Sequence, residues 1–238
     1  MANQMVFKRY EMKYLMDRRQ RDAVLRAMEP YMSMDRYGHS SIRSIYYDTP
    51  DFRLIRTSLE KPVYKEKLRV RSYGHAGSGD PVFVELKKKY RNVVCKRRIS
   101  LPLAQAEACL DGRMRMPESQ IGREIAYVLE FYRELEPAVF LSYEREAFYD
   151  QSGSDFRVTF DENIRYRQTE LTLDSDAMGK PILQPDRVLM ELKTSGGLPL
   201  WMAHFLSRQK IFKTPFSKYG TAYRDIYMTE QKGVHKYA

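Results

Sequence analysis

The sequence predicts an α+β protein: an antiparallel β-barrel whose charged face turns inward, with helices packed on its apolar outer face. Three observations predict it. Side chains of a strand alternate between two faces, and at least six segments divide in one way, cations on one face and aliphatic or aromatic residues on the other. Arg and Lys dominate the charged faces, with glutamates placed singly, whereas a solvated sheet face would mix Ser, Thr, Gln, Glu and Lys. The 238 residues carry a net charge of +10, which calls for a polyanionic partner such as nucleic acid, a phosphate-rich small molecule or an acidic membrane surface.

The first expected strand, Met5 to Tyr14, sets Arg9, Glu11 and Lys13 against Val6, Tyr10, Met12 and Tyr14. Asp17 is an N-cap residue for a helix through Met28, which Pro30 ends. Arg43 to Asp48 reads as a short aromatic strand, followed by a Thr49-Pro50 turn and a helical turn through Leu59. Three basic strands come next. Tyr64 to Tyr73 carries Lys65, Lys67, Arg69 and Arg71 on one face. Val82 to Tyr90 carries Glu85, Lys87 and Lys89 opposite Val82, Val84 and Leu86. Val94 to Leu101 carries Lys96 and Arg98. A Gly/Ser-rich loop, Gly74 to Pro81, and a tight Arg91-Asn92 hairpin join them.

Pro102 to Leu110 suits a short helix. Glu118 to Tyr132 spaces Ile121, Ile125, Val128 and Leu129 as one helical face, to pack outside the sheet. Ala138 to Tyr149 is a long strand presenting Tyr143 and Arg145, with Phe156 to Phe160 as its hairpin partner and Arg157 on the face opposite Phe156. Arg187 to Thr194 sets Arg187, Glu191 and Lys193 against Val188, Met190 and Leu192. Two helices, Leu198 to Arg208 and Ser217 to Met228, end the ordered chain, so residues 1–230 read as one domain and 231–238 as a flexible tail.

Cys95 and Cys109 are the only cysteines, which excludes a disulfide framework or a Cys-rich metal site and favours a reducing, cytoplasmic setting. Met1 to Arg9 lacks the apolar core of a signal peptide, and no apolar run approaches the roughly 20 residues of a membrane span. The four histidines occupy expected loops, a helix and the tail, so none marks a ligand set. Trp201 is expected to pack the terminal helix, and Tyr46 and Tyr47 the barrel wall. Because aromatics fall mostly opposite the cations, the stacking platform of a single-strand nucleic-acid binder is not expected.

Cations massed in a partly desolvated lumen repel one another and require an anionic occupant. The guanidinium fork suits phosphate oxygens, and lysine supplies a movable point charge. The isolated acids Glu11, Glu85 and Glu191 read as ligands for a hard divalent cation bridging phosphate and protein. Glu191 is the favoured ligand; for Glu11 and Glu85, pairing with neighbouring lysines is an equal alternative.

The segments EMKY, SIYYDTPDF, LEK, KLRVRSYG, VFVELKKK, VCKRRI, SYEREAFY, FRVTFD, MELK and PFSKYG, in this order from about Lys8 to Tyr227, resemble the triphosphate tunnel metalloenzymes. Within them the chain is most similar to the polyphosphate polymerase (VTC) domains. The resemblance implies a closed eight-stranded tunnel barrel with the C-terminal helix at the tunnel end. It also implies transfer of the terminal phosphate of ATP to a growing inorganic polyphosphate chain, with Mn²⁺ or Mg²⁺.

It implies phosphate contacts from Lys13, Arg69, Arg71, Lys87, Lys96, Tyr143, Arg145, Arg157, Lys193, Ser217 and Lys218, and a metal site at Glu191. Arg69, Arg71, Lys87, Arg145 and Glu191 would be the catalytic set. Ser217 would cap a helix whose free N–H groups attract phosphate. Two positions depart from the family pattern. Arg9 stands where a first-strand Glu is usual, which weakens a hydrolytic two-metal reading, and Pro215 stands where a lysine often precedes the Ser-Lys pair, with Lys213 nearby. The family further suggests a membrane protein as partner, holding the domain at the inner face of a membrane. A tunnel triphosphatase and a non-catalytic polyphosphate- or RNA-binding barrel are the alternatives, since fold does not decide the phosphoryl acceptor.

Overall fold

The computed structural model describes residues 10–91 and 93–234, with side chains as far as Thr229 at the C-terminal end. Val6 and Arg9 of the expected first strand, Asn92 of the hairpin and the last four residues lie outside the described residues. The strands are β1 (Tyr10–Asp17), β2 (Met32–Asp48), β3 (Tyr64–Tyr73), β4 (Pro81–Tyr90), β5 (Val93–Pro102), β6 (Glu136–Asp150), β7 (Arg157–Arg167), the two-residue β8 (Lys180–Pro181) and β9 (Arg187–Thr194). The helices are α1 (Arg18–Met28), α2 (Arg53–Leu59), α3 (Leu103–Leu110), α4 (Gln120–Tyr132), α5 (Leu200–Arg208) and α6 (Lys218–Val234).

The strands form one antiparallel sheet in the order β1-β9-β7-β6-β2-β3-β4-β5, with β8 on β7. The expected closure does not occur among the described residues. β1 and β5 are the ends of the hydrogen-bonded path, so the sheet is curled into a trough and not sealed into a barrel. Alternation sorts faces, but closure depends on strand tilt and on pairing of the two edge strands. The edges still converge: Lys87 Nζ on β4 reaches Glu11 Oε2 on β1 at 3.1 Å.

The inverted polarity is real. Val82, Val84 and Leu86 point outward and pack, fully buried, with Leu68 and Val70 against Ala106 and Leu110 of α3 and Ile121, Ile125 and Val128 of α4. On the opposite flank, Val188, Met190 and Leu192 of β9 and Val158 and Phe160 of β7 pack against α1 and α5. Trp201, on α5, belongs to this second layer, stacked on Tyr31 at 4.5 Å and edge-on to Phe156.

One end of the concave face is apolar and plugged. Ile42, Tyr46, Val139, Leu141, Ile164 and Leu189 meet Ile55 of α2 and Tyr219, Ala222 and Ile226 of α6. Asp48, with no exposure, fixes the plug. It accepts hydrogen bonds from the N–H groups of Thr49, Leu54 and Ile55 and from the Tyr219 hydroxyl at 2.8 Å. Gly220 allows the close approach, since a Cβ there would sit 2.9 Å from Leu59. Two other expectations shift. β2 begins at Met32, well before Arg43, and α6 runs to Val234, past the helix end expected at Met228. Asp17 does cap α1, in a capping box with Gln20.

Candidate active site

The concave face gathers the charged rows around two carboxylate centres. On the β3–β4–β5 wall, Glu85 is almost sealed, its side chain 1% exposed. Arg69 donates to its Oε2 from Nε at 2.8 Å and Nη2 at 2.6 Å, Lys96 meets Oε1 at 2.5 Å, and Arg71 approaches to 3.8 Å. Burial opposes ionisation of Glu85, but Arg69, Arg71 and Lys96 outweigh it and hold the carboxyl well below its usual range.

The β1–β9–β7–β6 wall is organised around Glu191 and Asp161. Lys13 Nζ lies 3.3 Å from both Glu11 and Glu191. Lys193 is 3.2 Å and Arg145 3.6 Å from Glu191. Asp161 takes a bidentate pair from Arg145 at 2.6 and 2.7 Å. Lys218, the first residue of α6, spans Asp161 and Glu191 at 2.5 and 3.1 Å. Despite burial, these cations hold Asp161 and Glu191 below the ordinary carboxylate range, while Asp161 and Glu191 raise Lys218 against its own burial.

Aromatic rings lie under this charge. Arg71 donates to the Tyr143 hydroxyl at 3.0 Å and Arg69 to the Tyr46 hydroxyl at 2.7 Å. Lys218 and Arg145 sit over the Tyr143 ring at 4.6 and 5.1 Å, and Arg98 over Phe83 at 4.6 Å. So some aromatics share the cationic face: Tyr143, as expected beside Arg145, and Tyr46, which is also packed in the wall. Tyr46 and Tyr143 are buried beneath the cations and offer no platform to a base.

Of the residues singled out in the sequence, Glu11, Lys13, Arg69, Arg71, Glu85, Lys87, Lys96, Tyr143, Arg145, Glu191, Lys193 and Lys218 fall in this one network. Arg157 pairs in register with Lys193 but is exposed. Ser217 accepts from the Gly220 N–H at 3.1 Å and so caps α6, and it also faces Lys67 Nζ at 3.3 Å. Lys213 is exposed, bridged to Tyr14 outside the network. Asp161 is a site residue beyond those the sequence singles out, and its signal is its register opposite Arg145; Tyr46, expected in the wall, also braces Arg69. Among the described residues no three His, Cys, Asp or Glu side chains form a ligand set. Glu11 and Glu191, bridged by Lys13, fit a hard cation only if phosphate oxygens complete its shell. Glu85 is enclosed by three cations on the other wall.

A family model for the VTC domain matches residues 8–227. The chain belongs to the VTC domain family. The Schizosaccharomyces pombe vacuolar transporter chaperone complex subunit 4 is 28% identical over a match covering 52% of this chain and 20% of that protein, so the matched stretch spans about one fifth of that relative's length. Its fold is shared with a candidate adenylate cyclase from Bacillus halodurans at a TM-score of 0.56, with 14% identity, 90% of this chain and 95% of that one covered. A candidate adenylyl cyclase from Hippeastrum, described as having a dominant triphosphatase activity, matches at 0.54, with 15% identity and 88% and 92% covered. No helix among the described residues is long and apolar enough to cross a membrane.

Proposed function

We propose that this VTC domain is a polyphosphate polymerase, transferring the terminal phosphoryl group of ATP to the end of an inorganic polyphosphate chain. The observation that carries the reading is the concave face itself: an inward basic surface with buried, paired carboxylates, in a chain of the VTC family. A string of phosphates matches cations spread along adjoining strands.

An oxygen of the acceptor's terminal phosphate attacks the γ-phosphorus in line, the bond to the β-phosphate bridging oxygen breaks, and ADP leaves. Position and charge neutralisation supply the rate, and no nucleophilic side chain is required. Arg69, Arg71, Lys87 and Lys96 hold the phosphates on one wall, and Lys13, Arg145, Lys193 and Lys218 on the other. Tyr143 braces Arg71, Ser217 presents the start of α6, and Arg157 receives the chain at the open end. Glu191, with Glu11, would hold Mg²⁺ or Mn²⁺ jointly with the phosphates; the cation would neutralise charge on the transferring group. The inner ion pairs, Lys87–Glu11 among them, exchange for phosphate as the chain enters.

The Schizosaccharomyces relative belongs to a vacuolar transporter chaperone complex, so the partner proposed is a membrane protein that receives the chain, with the domain on the cytoplasmic side. Incubation with ATP and Mn²⁺ or Mg²⁺, resolved by polyphosphate-stained gel beside an orthophosphate assay, tests the reading. Polymer is expected, absent in Glu191→Gln. Orthophosphate alone would assign water as the acceptor, the activity described for the Hippeastrum protein.

A further inference from the structure

Most lysines of the trough are matched to a carboxylate. Lys13 has Glu11 and Glu191, Lys87 has Glu11, Lys96 has Glu85, and Lys193 and Lys218 have Glu191. Lys67 is different. Among the described residues no carboxylate lies within ion-pair distance of it; its ammonium touches only the Ser217 hydroxyl at 3.3 Å and lies 5.9 Å over the Tyr219 ring. The charged groups that act on it most strongly are cations: Lys87 on β4, Lys13 on β1, and Lys65 and Arg69 on its own strand; Glu11 lies behind Lys87 and Lys13, paired with both. Lys65 differs in donating to the Ser58 carbonyl on α2 at 2.8 Å. The α6 side contributes Ser217, Tyr219 and the positive end of a 17-residue helix. A site that surrounds one ammonium with like charge, and leaves it one weak hydroxyl contact, is incomplete without an anion.

We propose that Lys67, with Ser217 and the first turn of α6, binds a phosphoryl group at the plugged end of the trough, and that phosphate entry there is coupled to uptake of a proton by Lys67. The proposal rests on the polyphosphate reading and names a residue and a proton that reading does not require. Burial, then the like charges of Lys87, Lys13, Lys65 and Arg69, push the Lys67 ammonium down to about 7 in the empty trough. A phosphate beside it replaces repulsion by attraction and raises it again. The group is therefore partly neutral near pH 8 when free and charged when occupied, so affinity falls as pH rises above about 7. Lys13 and Lys218 are raised by the carboxylates they pair with. Lys96 is also pushed to about 7, by burial first, even with Glu85 at 2.5 Å, so it contributes an uptake of its own that remains in variants of Lys67.

The test is calorimetric titration of inorganic tripolyphosphate into the full chain near pH 8, in two buffers of different ionisation enthalpy, which separates proton uptake from binding heat. Wild type should bind with net uptake. Lys67→Met should bind roughly tenfold more weakly, the loss of about one charged hydrogen bond, and its uptake should fall. Lys67→Arg, which cannot be neutral, should keep affinity within roughly threefold yet lose the same uptake; this split is one that a merely structural role would not produce. Uptake in Lys67→Arg equal to that of wild type, or unchanged affinity in Lys67→Met, overturns the Lys67 assignment while leaving the polyphosphate reading intact. Failure of the wild type to bind tripolyphosphate overturns both.

Discussion

Glu85 and Glu191 face each other across the trough, both nearly sealed and both held ionised, yet their surroundings are built differently. Around Glu85 a single carboxylate serves Arg69, Arg71 and Lys96, and the same wall carries Lys67, within ion-pair distance of no carboxylate among the described residues. Around Glu191 the acids Glu11, Asp161 and Glu191 interleave with Lys13, Arg145, Lys193 and Lys218. The first wall has cations in surplus and is suited to grip an anion. The second is closer to balance and joins the sheet to α6 through Lys218. In the reading proposed, affinity belongs to the Glu85 wall, and both turnover and structural integrity to the Glu191 wall.

The largest effect should follow from breaking the balanced wall. Asp161 has no exposure and neutralises both Arg145 and Lys218. Asp161→Ala leaves two buried cations with only Glu191 to share, which costs about 3–5 kcal/mol, measured by urea denaturation. Because Asp161 is depressed in the folded state, its contribution is present above the unfolded carboxyl pKa and is lost as pH falls through the lower folded value. The stability gap between variant and wild type should therefore persist through mild acid and close only in strong acid. A gap that closes at about pH 5 would show that Asp161 is not held down by its cations.

Glu191→Gln separates the two roles next. Turnover should fall by about 100-fold to 1000-fold, the range seen when one electrostatic contributor to a transition state is removed. Tripolyphosphate affinity should hold or rise, because the trough loses a negative charge. A parallel loss of binding would place the grip on the wrong wall. Arg69→Ala should do the reverse, weakening tripolyphosphate by about 2 kcal/mol, or roughly 30-fold, with less effect on urea stability than Asp161→Ala, since Arg71 and Lys96 still neutralise Glu85.

Why one wall was easier to read than the other has a physical basis. On the Glu85 wall, β3, β4 and β5 are regular strands whose alternation places Arg69 beside Glu85 and Lys87 beside Lys96 in register. The Glu191 wall depends on irregularities. β7 continues past Phe160 through Asp161 and through Asn163 at φ +50°, beside a register shift between Ser142 and Glu144. Asp and Asn are depleted in strands, so the segment read as ending at Phe160 and Asp161 was not placed in the site. Lys218 enters from a helix whose docking depends on Asp48 and Gly220, contacts between residues far apart in the chain. The open edges were hidden for a similar reason, since alternation within a strand carries no record of whether the first and last strands pair.

The smallest effect expected marks the limit of both walls. Lys213 sits two residues before Pro215 and was the sequence's nearest candidate to supply an extra cation at the start of α6. In the structure it is exposed and bridged to the edge residue Tyr14, whereas Lys67 holds the position beside Ser217. Lys213→Ala should shift both stability and tripolyphosphate affinity by no more than about 0.5 kcal/mol. Whatever small change in affinity remains should vanish as salt is raised, because an exposed charge acts only through a screened field. A salt-resistant loss as large as that of Arg69→Ala would mean that the phosphate path leaves the concave face along β1, and that grip is not confined to the Glu85 wall.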